Sequence, residues 1–289
     1  VGRTRRQEFA SQPVRGLASD GHGGALVIVG GHSLCRRTPG RAFGTLATSE
    51  HDLSCCMAVG DVIYVGSDDA RLLRFTGGGH LEPVRAFEDM PGREEWFAGA
   101  AIVDGRVVGP PLGIRSMTAT SDATVLLVNV HVGGIPRSAD GGTTWQPTID
   151  IYRDVHDVCA HPMRPGLVAA AAASGLCVSR DAGKTWTVEQ DRLHAPHCSA
   201  VAFLGDDVFV TASTGPFAAE GAVYRRAIDR DDPLTLVESG IPRWTNGIVD
   251  AACLDHAAVI DGSAGERAGG GCRHHHAAPH GHELAAGGR

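Results

Sequence analysis

The pattern S-x-D-x-G-x-T-W occurs twice in this chain. It reads Ser138-Ala-Asp140-Gly-Gly142-Thr-Thr-Trp145 and Ser179-Arg-Asp181-Ala-Gly183-Lys-Thr-Trp186, with 41 residues between equivalent positions. Each fixed position has a physical reason. Ser and Asp side chains bond to backbone two residues on and build a tight turn. The Gly supplies a positive φ that other residues resist. The Trp opens the returning strand with a large apolar ring that can wedge against a neighbouring sheet. A period of about 40 residues belongs to propellers and stacked arrays.

The repeat extends upstream. Ile114 to Ser138 and Val155 to Ser179 align without a gap, each giving an apolar strand, a polar turn, a second apolar strand, a Gly and a third strand ending in Ser. The residues after the Trp supply a fourth strand, which makes a β-meander. Weaker copies run from Leu53 to Phe75 and from Ser199 to Arg225, the second without the motif, and Ile248 to Ile260 begins another. Ala25–Gly30 and Ser33–Arg37 look like inner and middle strands of a blade whose first strand is missing, a gap that a C-terminal strand fills when a propeller ring closes. Residues 98–103 with 106–108 form a further hairpin, either an insertion or a compressed blade.

The eight-residue pattern resembles the Asp-box, or BNR repeat, of sialidases, sortilin-type receptors, some glycoside hydrolases and photosystem-assembly propellers. The resemblance implies an all-β chain, a β-propeller of four-stranded antiparallel blades. About six or seven blades are expected, with the last blade and the ring closure incomplete. In that family the box lies on an outer hairpin, away from the catalytic centre. Ser138, Asp140, Gly142, Trp145, Ser179, Asp181, Gly183 and Trp186 are therefore read as structural. The expected division is an N-terminal extension at 1–23, a propeller at 24–262 and an irregular Gly/Ala/His-rich tail at 263–289.

Formal charge is −7 and no basic stripe is present, which argues against nucleic acid as a partner. No apolar run approaches the ~18 residues of a membrane span. The basic start (Arg3, Arg5, Arg6) is followed by no apolar segment of secretory type. Eight Cys are scattered, with Cys55 and Cys56 adjacent on one strand and so facing opposite sides. Cys159, Cys177 and Cys253 sit in apolar strands as small hydrophobes do. These features predict a reduced, cytoplasmic protein.

In the tail, Cys272, His274, His276, His280 and His282 could offer metal ligands. The abrupt change in composition just past an intact first strand favours a different reading, a disordered extension or an out-of-frame end. No metal and no cofactor are assigned.

A propeller ligand site lies where loops enter each first strand and link second to third strands, as the architecture implies. Residues mapped there are His51, Asp52, Trp96, Arg115, His131, Tyr152, Asp154, His156, His194, His197, Trp244 and Asn246. The ligand-binding candidates are Trp96, Arg115, His131, Tyr152, His156 and His197, with His131 and His156 coming from adjacent blades.

Catalytic residues are not assigned. A sialidase needs three Arg to grip the substrate carboxylate, a Tyr activated by a Glu, and an Asp acid/base. Arg suits the clamp through its planar fork. The family's Arg-Ile-Pro string is absent; Gly134-Ile-Pro-Arg137 has another order and precedes a box. Of three Tyr, Tyr64 and Tyr224 read as core, and Tyr152 has no Glu to activate it. Other glycosidases need two carboxylates about 5 Å or about 6.5–9.5 Å apart. Asp52, Asp154, Asp157, Glu94 and Glu95 are available, but sequence does not pair them. The expectation is a ligand-binding or scaffold propeller for a glycan, small molecule or protein, without sialidase activity; the alternative is a glycoside hydrolase acting at the channel mouth.

Overall fold

The computed structural model describes residue 9 and residues 11–99, 101–103, 106–108, 112–216, 220–230 and 232–238. Five four-stranded antiparallel sheets follow one another along the chain, each a simple meander. The first is β1 (Val14–Ser19), β2 (Ala25–Val29), β3 (Ser33–Arg37) and β4 (Gly44–Thr48). The second is β5 (Leu53–Val59), β6 (Val62–Ser67), β7 (Leu72–Phe75) and β8 (Glu82–Pro83). A short helix, α1 (Arg85–Glu88), and a separate two-stranded hairpin, β9 (Ala101–Val103) and β10 (Arg106–Val108), come next. The third sheet is β11 (Ile114–Ala119), β12 (Leu126–Val130), β13 (Pro136–Ser138) and β14 (Gln146–Pro147). The fourth is β15 (Val155–Ala160), β16 (Val168–Ala172), β17 (Gly175–Ser179) and β18 (Thr187–Glu189). The fifth is β19 (His197–Leu204), β20 (Asp207–Ser213), β21 (Ala222–Ala227) and β22 (Thr235–Leu236).

The first strands β1, β5, β11, β15 and β19 pack against one another in that order, so the sheets are blades of a β-propeller. The second and third blades touch directly through β5 and β11, which makes β9–β10 an insertion and not a blade. One expectation is corrected. The first blade does not lack its first strand: β1 pairs with β2 from Val14↔Val29 to Ser19↔Ala25. The blade therefore begins at Val14, inside the segment read as an extension, because Val14-Arg-Gly-Leu-Ala-Ser alternates too weakly to stand out as a strand. The sixth blade expected from Ile248, the tail at 263–289, and the residues Trp244, Asn246, Cys253, Cys272, His274, His276, His280 and His282 lie outside the described residues.

The core sits between blades. Cys55 faces a cluster with Ile114, Met117 and Trp145, while Cys56 faces another with Leu26, Ile28 and Leu53. This is the alternation their adjacency predicts, and both remain thiols.

The two S-x-D-x-G-x-T-W turns are built alike. The Ser hydroxyl donates to the Asp carboxylate at 2.8 Å in each, and accepts from the Gly N–H at 2.9 Å in the first and 2.8 Å in the second. Asp Oδ1 accepts the next two turn N–H groups, and Oδ2 takes the Thr hydroxyl at 2.6 Å. Gly142 and Gly183 hold φ of 86° and 79°, and a Cβ on Gly183 would come within 2.6 Å of Leu127. These bonds hold the carboxyls of Asp140 and Asp181 down at about 2; for Asp181 they outweigh an upward push from burial.

The turns also dock blades. In each, the carbonyl of the fourth position accepts from the preceding blade: Gly141 O from Tyr64 Oη at 3.2 Å, and Ala182 O from Arg137 Nε at 2.8 Å. The two Trp differ in burial. Trp145 is 3% exposed and meets Phe87 edge-on at 5.2 Å, whereas Trp186 is half-buried and donates to Thr148.

Candidate functional site

The start of every inner strand repeats one backbone device. Register shifts fall between Val14 and Gly16, Leu53 and Cys55, Ile114 and Ser116, Val155 and Asp157, and Cys198 and Val201. Each is a β-bulge, which re-aims a side chain at a strand end. The bulged residues are Arg15, Ser54, Arg115 and His156 in the first four blades, with Ser199 and Ala200 in the fifth. A second device ties the residue before the strand to the turn after the second strand. Gly30 N bonds Pro13 O, Asp68 N bonds Asp52 O, His131 N bonds Gly113 O, and Ala173 N bonds Asp154 O, all at 2.8–2.9 Å. The fold thus gathers entrance, bulge and turn positions of neighbouring blades at one end. The S-x-D-x-G-x-T-W turns link third to fourth strands and lie at the other.

In the first two blades these positions carry Arg15, Asp52 and Asp68. Arg15 Nη1 stands 3.3 Å from Asp52 and 3.1 Å from Asp68, an exposed cluster worth little in stability. In the third and fourth blades they carry His131, Asp154 and His156. His131 Nε2 is 3.3 Å from Asp154 Oδ1, and His156 Nε2 is 3.4 Å from Asp154 Oδ2. His131 is 4% exposed and His156 9%. The two rings stack with centroids 6.4 Å apart, and His197, at the entrance of the fifth blade, lies 4.7 Å from His156.

Local sequence explains the placement. Asp150 accepts from Tyr152 N and starts a single 3-10 turn over Ile151–Arg153. Asp154 ends it at φ 51°, a left-handed conformation that Asp tolerates better than most residues. His156 sits on the bulge, and its Nδ1 lies 2.6 Å from the carbonyl of Cys198. Ser54, on the equivalent bulge, donates to the equivalent carbonyl of Ile114. A Cβ on Gly99 would fall 2.4 Å from the His131 ring, so glycine lets that segment lie on the imidazole.

Burial pushes the Asp154 carboxyl upward, but the adjoining His131 and His156 imidazoles outweigh it and hold the group well below the usual carboxylate range. Burial is the main cause that lowers His131, aided by the Arg115 charge and opposed by Asp154. Among the described residues, this trio is the group whose ligand-type atoms all lie within 4.8 Å of one another.

The sequence candidates fare unequally. His131, His156 and His197 come together, and Arg115 stands near enough to act on His131. Tyr152 is 78% exposed at the rim, where its ring meets Phe97, itself 44% exposed, at 6.1 Å. Trp96 is core: it is 9% exposed, packs on Phe87 at 5.8 Å and has Arg93 stacked over it. His194 lies between Tyr224 Oη and Glu220 O, and His51 pairs with Asp69. Asp157 accepts backbone N–H groups of Val158 and Val201 and ties two blades. Glu94 and Glu95 are exposed. The sequence reading missed Phe97; the adjacent aromatic pair Trp96-Phe97 was a signal that one ring faces in and the other out. It also left out of its binding candidates Asp154, which it had placed in an entrance loop.

No protein-family model matches the sequence, and no curated protein matches it. Solved structures do. The chain is similar to the GH74 enzyme of Niastella koreensis at TM-score 0.53 and 15% identity, over 77% of this chain and 36% of that one. It is similar to the computationally designed Ika8 protein at TM-score 0.54 and 12% identity, over 83% of this chain and 65% of that one. It is similar to a chain of the nidogen/laminin complex at TM-score 0.53 and 11% identity, over 80% of this chain and 81% of that one. The likeness is one of fold. The chain spans little more than a third of the GH74 enzyme's length and just under two thirds of the designed protein's. Among the described residues, no helix is long and apolar enough to cross a membrane.

Proposed function

We propose that this chain is an Asp-box propeller that binds a ligand without sialidase turnover, at a channel mouth built from Arg115, His131, Asp154, His156 and His197. Phe97 and Tyr152 form its rim. The observation that carries the reading is convergence: His131 and His156, from adjacent blades, flank the Asp154 carboxylate, His197 of the next blade lies 4.7 Å from His156, and the exposed Phe97–Tyr152 pair includes a residue two positions before Asp154. Aromatic faces next to a few directed polar groups suit a sugar ring, so a glycan or similar ring-bearing small molecule is the ligand class. The six free thiols among the described residues support a cytoplasmic, reducing location.

Two features weigh against hydrolysis. Tyr152 is exposed and its ring neighbour is Phe97, not a Glu. A glycosidase needs a carboxylate pair. Asp154 is the one acid in the cluster, while Asp157 is engaged by backbone N–H groups and Asp52 by Arg15. Saturation-transfer NMR with a panel of methyl glycosides, sialosides included, tests the reading. Transfer to at least one glycoside is expected, weakened by Phe97→Ala and by Tyr152→Ala but not by Trp186→Phe. Transfer that is indifferent to both rim substitutions would place the ligand elsewhere.

A further inference from the structure

We propose that His131, Asp154 and His156 bind a divalent transition-metal ion of the zinc, cobalt or nickel type, with a coordination position left open toward the ligand. The inference deepens the site above and rests on that reading only for the open position.

The geometry is that of a ligand set. Donor atoms about 2.0–2.2 Å from a tetrahedral ion stand about 3.3–3.6 Å from one another. His131 Nε2 stands 3.3 Å from Asp154 Oδ1 and His156 Nε2 stands 3.4 Å from Oδ2, and one donor atom of each residue lies within 4.8 Å of the other two, so a small inward turn of the side chains onto a shared ion completes the set. Two imidazole nitrogens with one carboxylate select borderline transition ions over calcium or magnesium, which take oxygen. Three protein ligands leave the fourth position free, as in catalytic rather than structural sites.

The tautomers point the same way. The carbonyl of Cys198 only accepts, so His156 donates to it from Nδ1. In the neutral ring this turns the Nε2 lone pair toward Asp154 Oδ2. A lone pair facing a carboxylate oxygen is repulsive unless a cation or a proton lies between them. An imidazole that gives one N–H to a backbone carbonyl and presents the other nitrogen is the usual arrangement of a ligating histidine. Asp154 Oδ1 is buried and its contact with His131 Nε2, at 3.3 Å, is long for a charge-assisted hydrogen bond, while His131 Nδ1, in a nearly fully buried ring, has no partner. An unsatisfied buried carboxylate oxygen between two imidazoles is where a cation gains most. Arg115, on the bulge of the third blade's first strand, puts a positive charge at the same end of the fold.

The test uses the full chain, freed of metal by chelator dialysis and titrated with cobalt(II). The histidines of the tail can also bind, so a His274→Ala/His275→Ala/His276→Ala variant runs in parallel. One cobalt per chain with visible d–d bands is expected at the propeller site, retained in the tail variant and at least about tenfold weaker in Asp154→Asn. Arg115→Leu should tighten binding several-fold. In the wild type, zinc should shift the Nε2 resonances of both His131 and His156 in long-range ¹H–¹⁵N spectra, a readout that needs no substitution in the site. Cobalt binding unchanged in Asp154→Asn, binding lost altogether in the tail variant, or unmoved His131 and His156 resonances would each overturn the proposal. The glycoside panel is run on the same chelated protein. Saturation transfer without ion binding removes the ion and spares the glycan site; ion binding without transfer does the reverse.

Discussion

His156 donates from Nδ1 to the carbonyl oxygen of Cys198 across a blade boundary, at 2.6 Å. Ser54 makes the same bond to Ile114 one blade pair earlier. One bulge position therefore serves both assembly and site: in the second and fourth blades it fastens the blade to the next, and in the first and fourth its side chain stands among the entrance residues. His156→Leu leaves the Cys198 carbonyl without this donor and should cost about 1–3 kcal/mol. His156→Ser should cost less, because serine already makes this bond at the equivalent place. Urea melts of the two variants check the order, and equal losses would show that the interblade bond is not what the position contributes.

The two Trp residues of the repeated motif should not be equivalent. Trp145→Ala empties a site that is 3% exposed against Phe87, and roughly 3–5 kcal/mol of destabilisation is expected. Trp186 is only half-buried, so Trp186→Ala should cost about half as much. Thermal melts in which Trp186→Ala is the more damaging change would contradict this packing.

Ser138 is 1% exposed and both donates to Asp140 and accepts from Gly142 N. Ser138→Ala strands that buried N–H and should destabilise by about 1–3 kcal/mol. Hydrogen exchange at the Gly142 amide should accelerate in the variant. An unchanged amide would mean that the hydroxyl is dispensable to the turn.

Acid should loosen the turns in a defined window. Asp140 and Asp181 titrate at about 2 in the folded chain, against about 3.9 in an unfolded one. A depressed folded value means that their contribution is complete above about pH 4 and is lost as pH falls toward about 2. An Asp140→Asn/Asp181→Asn variant should be less stable at neutral pH and should show a shallower loss of urea midpoint between pH 4 and 2. An identical acid slope in variant and wild type would remove both carboxylates from the account.

Much of this architecture was legible because each blade repeats its chemistry. Ser, Asp, Gly and Trp recur at fixed offsets, and the gapless match of Ile114 to Val155 already set Arg115 beside His156 as equivalents. β1 was not legible, because Gly16 breaks its apolar run. The site was half legible. His131 and His156 stand at entrance positions that topology assigns to one end. The role of Asp154 depends on a left-handed residue closing a single 3-10 turn, which leaves no periodic trace. Trp96 and Phe97 show the limit most plainly: two neighbouring aromatics in one loop, of which the backbone at Gly133 buries the first, a Cβ there falling 3.0 Å from the Trp96 ring, and leaves the second exposed.

Binding and turnover can be followed together in one sample. The protein is incubated with a set of 4-methylumbelliferyl glycosides, the sialoside among them, while saturation transfer to the sugar protons and release of the fluorophore are followed together. Transfer to the sugar is expected, falling in the Phe97→Ala/Tyr152→Ala variant, with fluorophore release no faster than in buffer. Release that is abolished by Asp154→Asn or by Tyr152→Phe would contradict it and make the chain a hydrolase. Absence of transfer from every glycoside in the wild type would remove the glycan site.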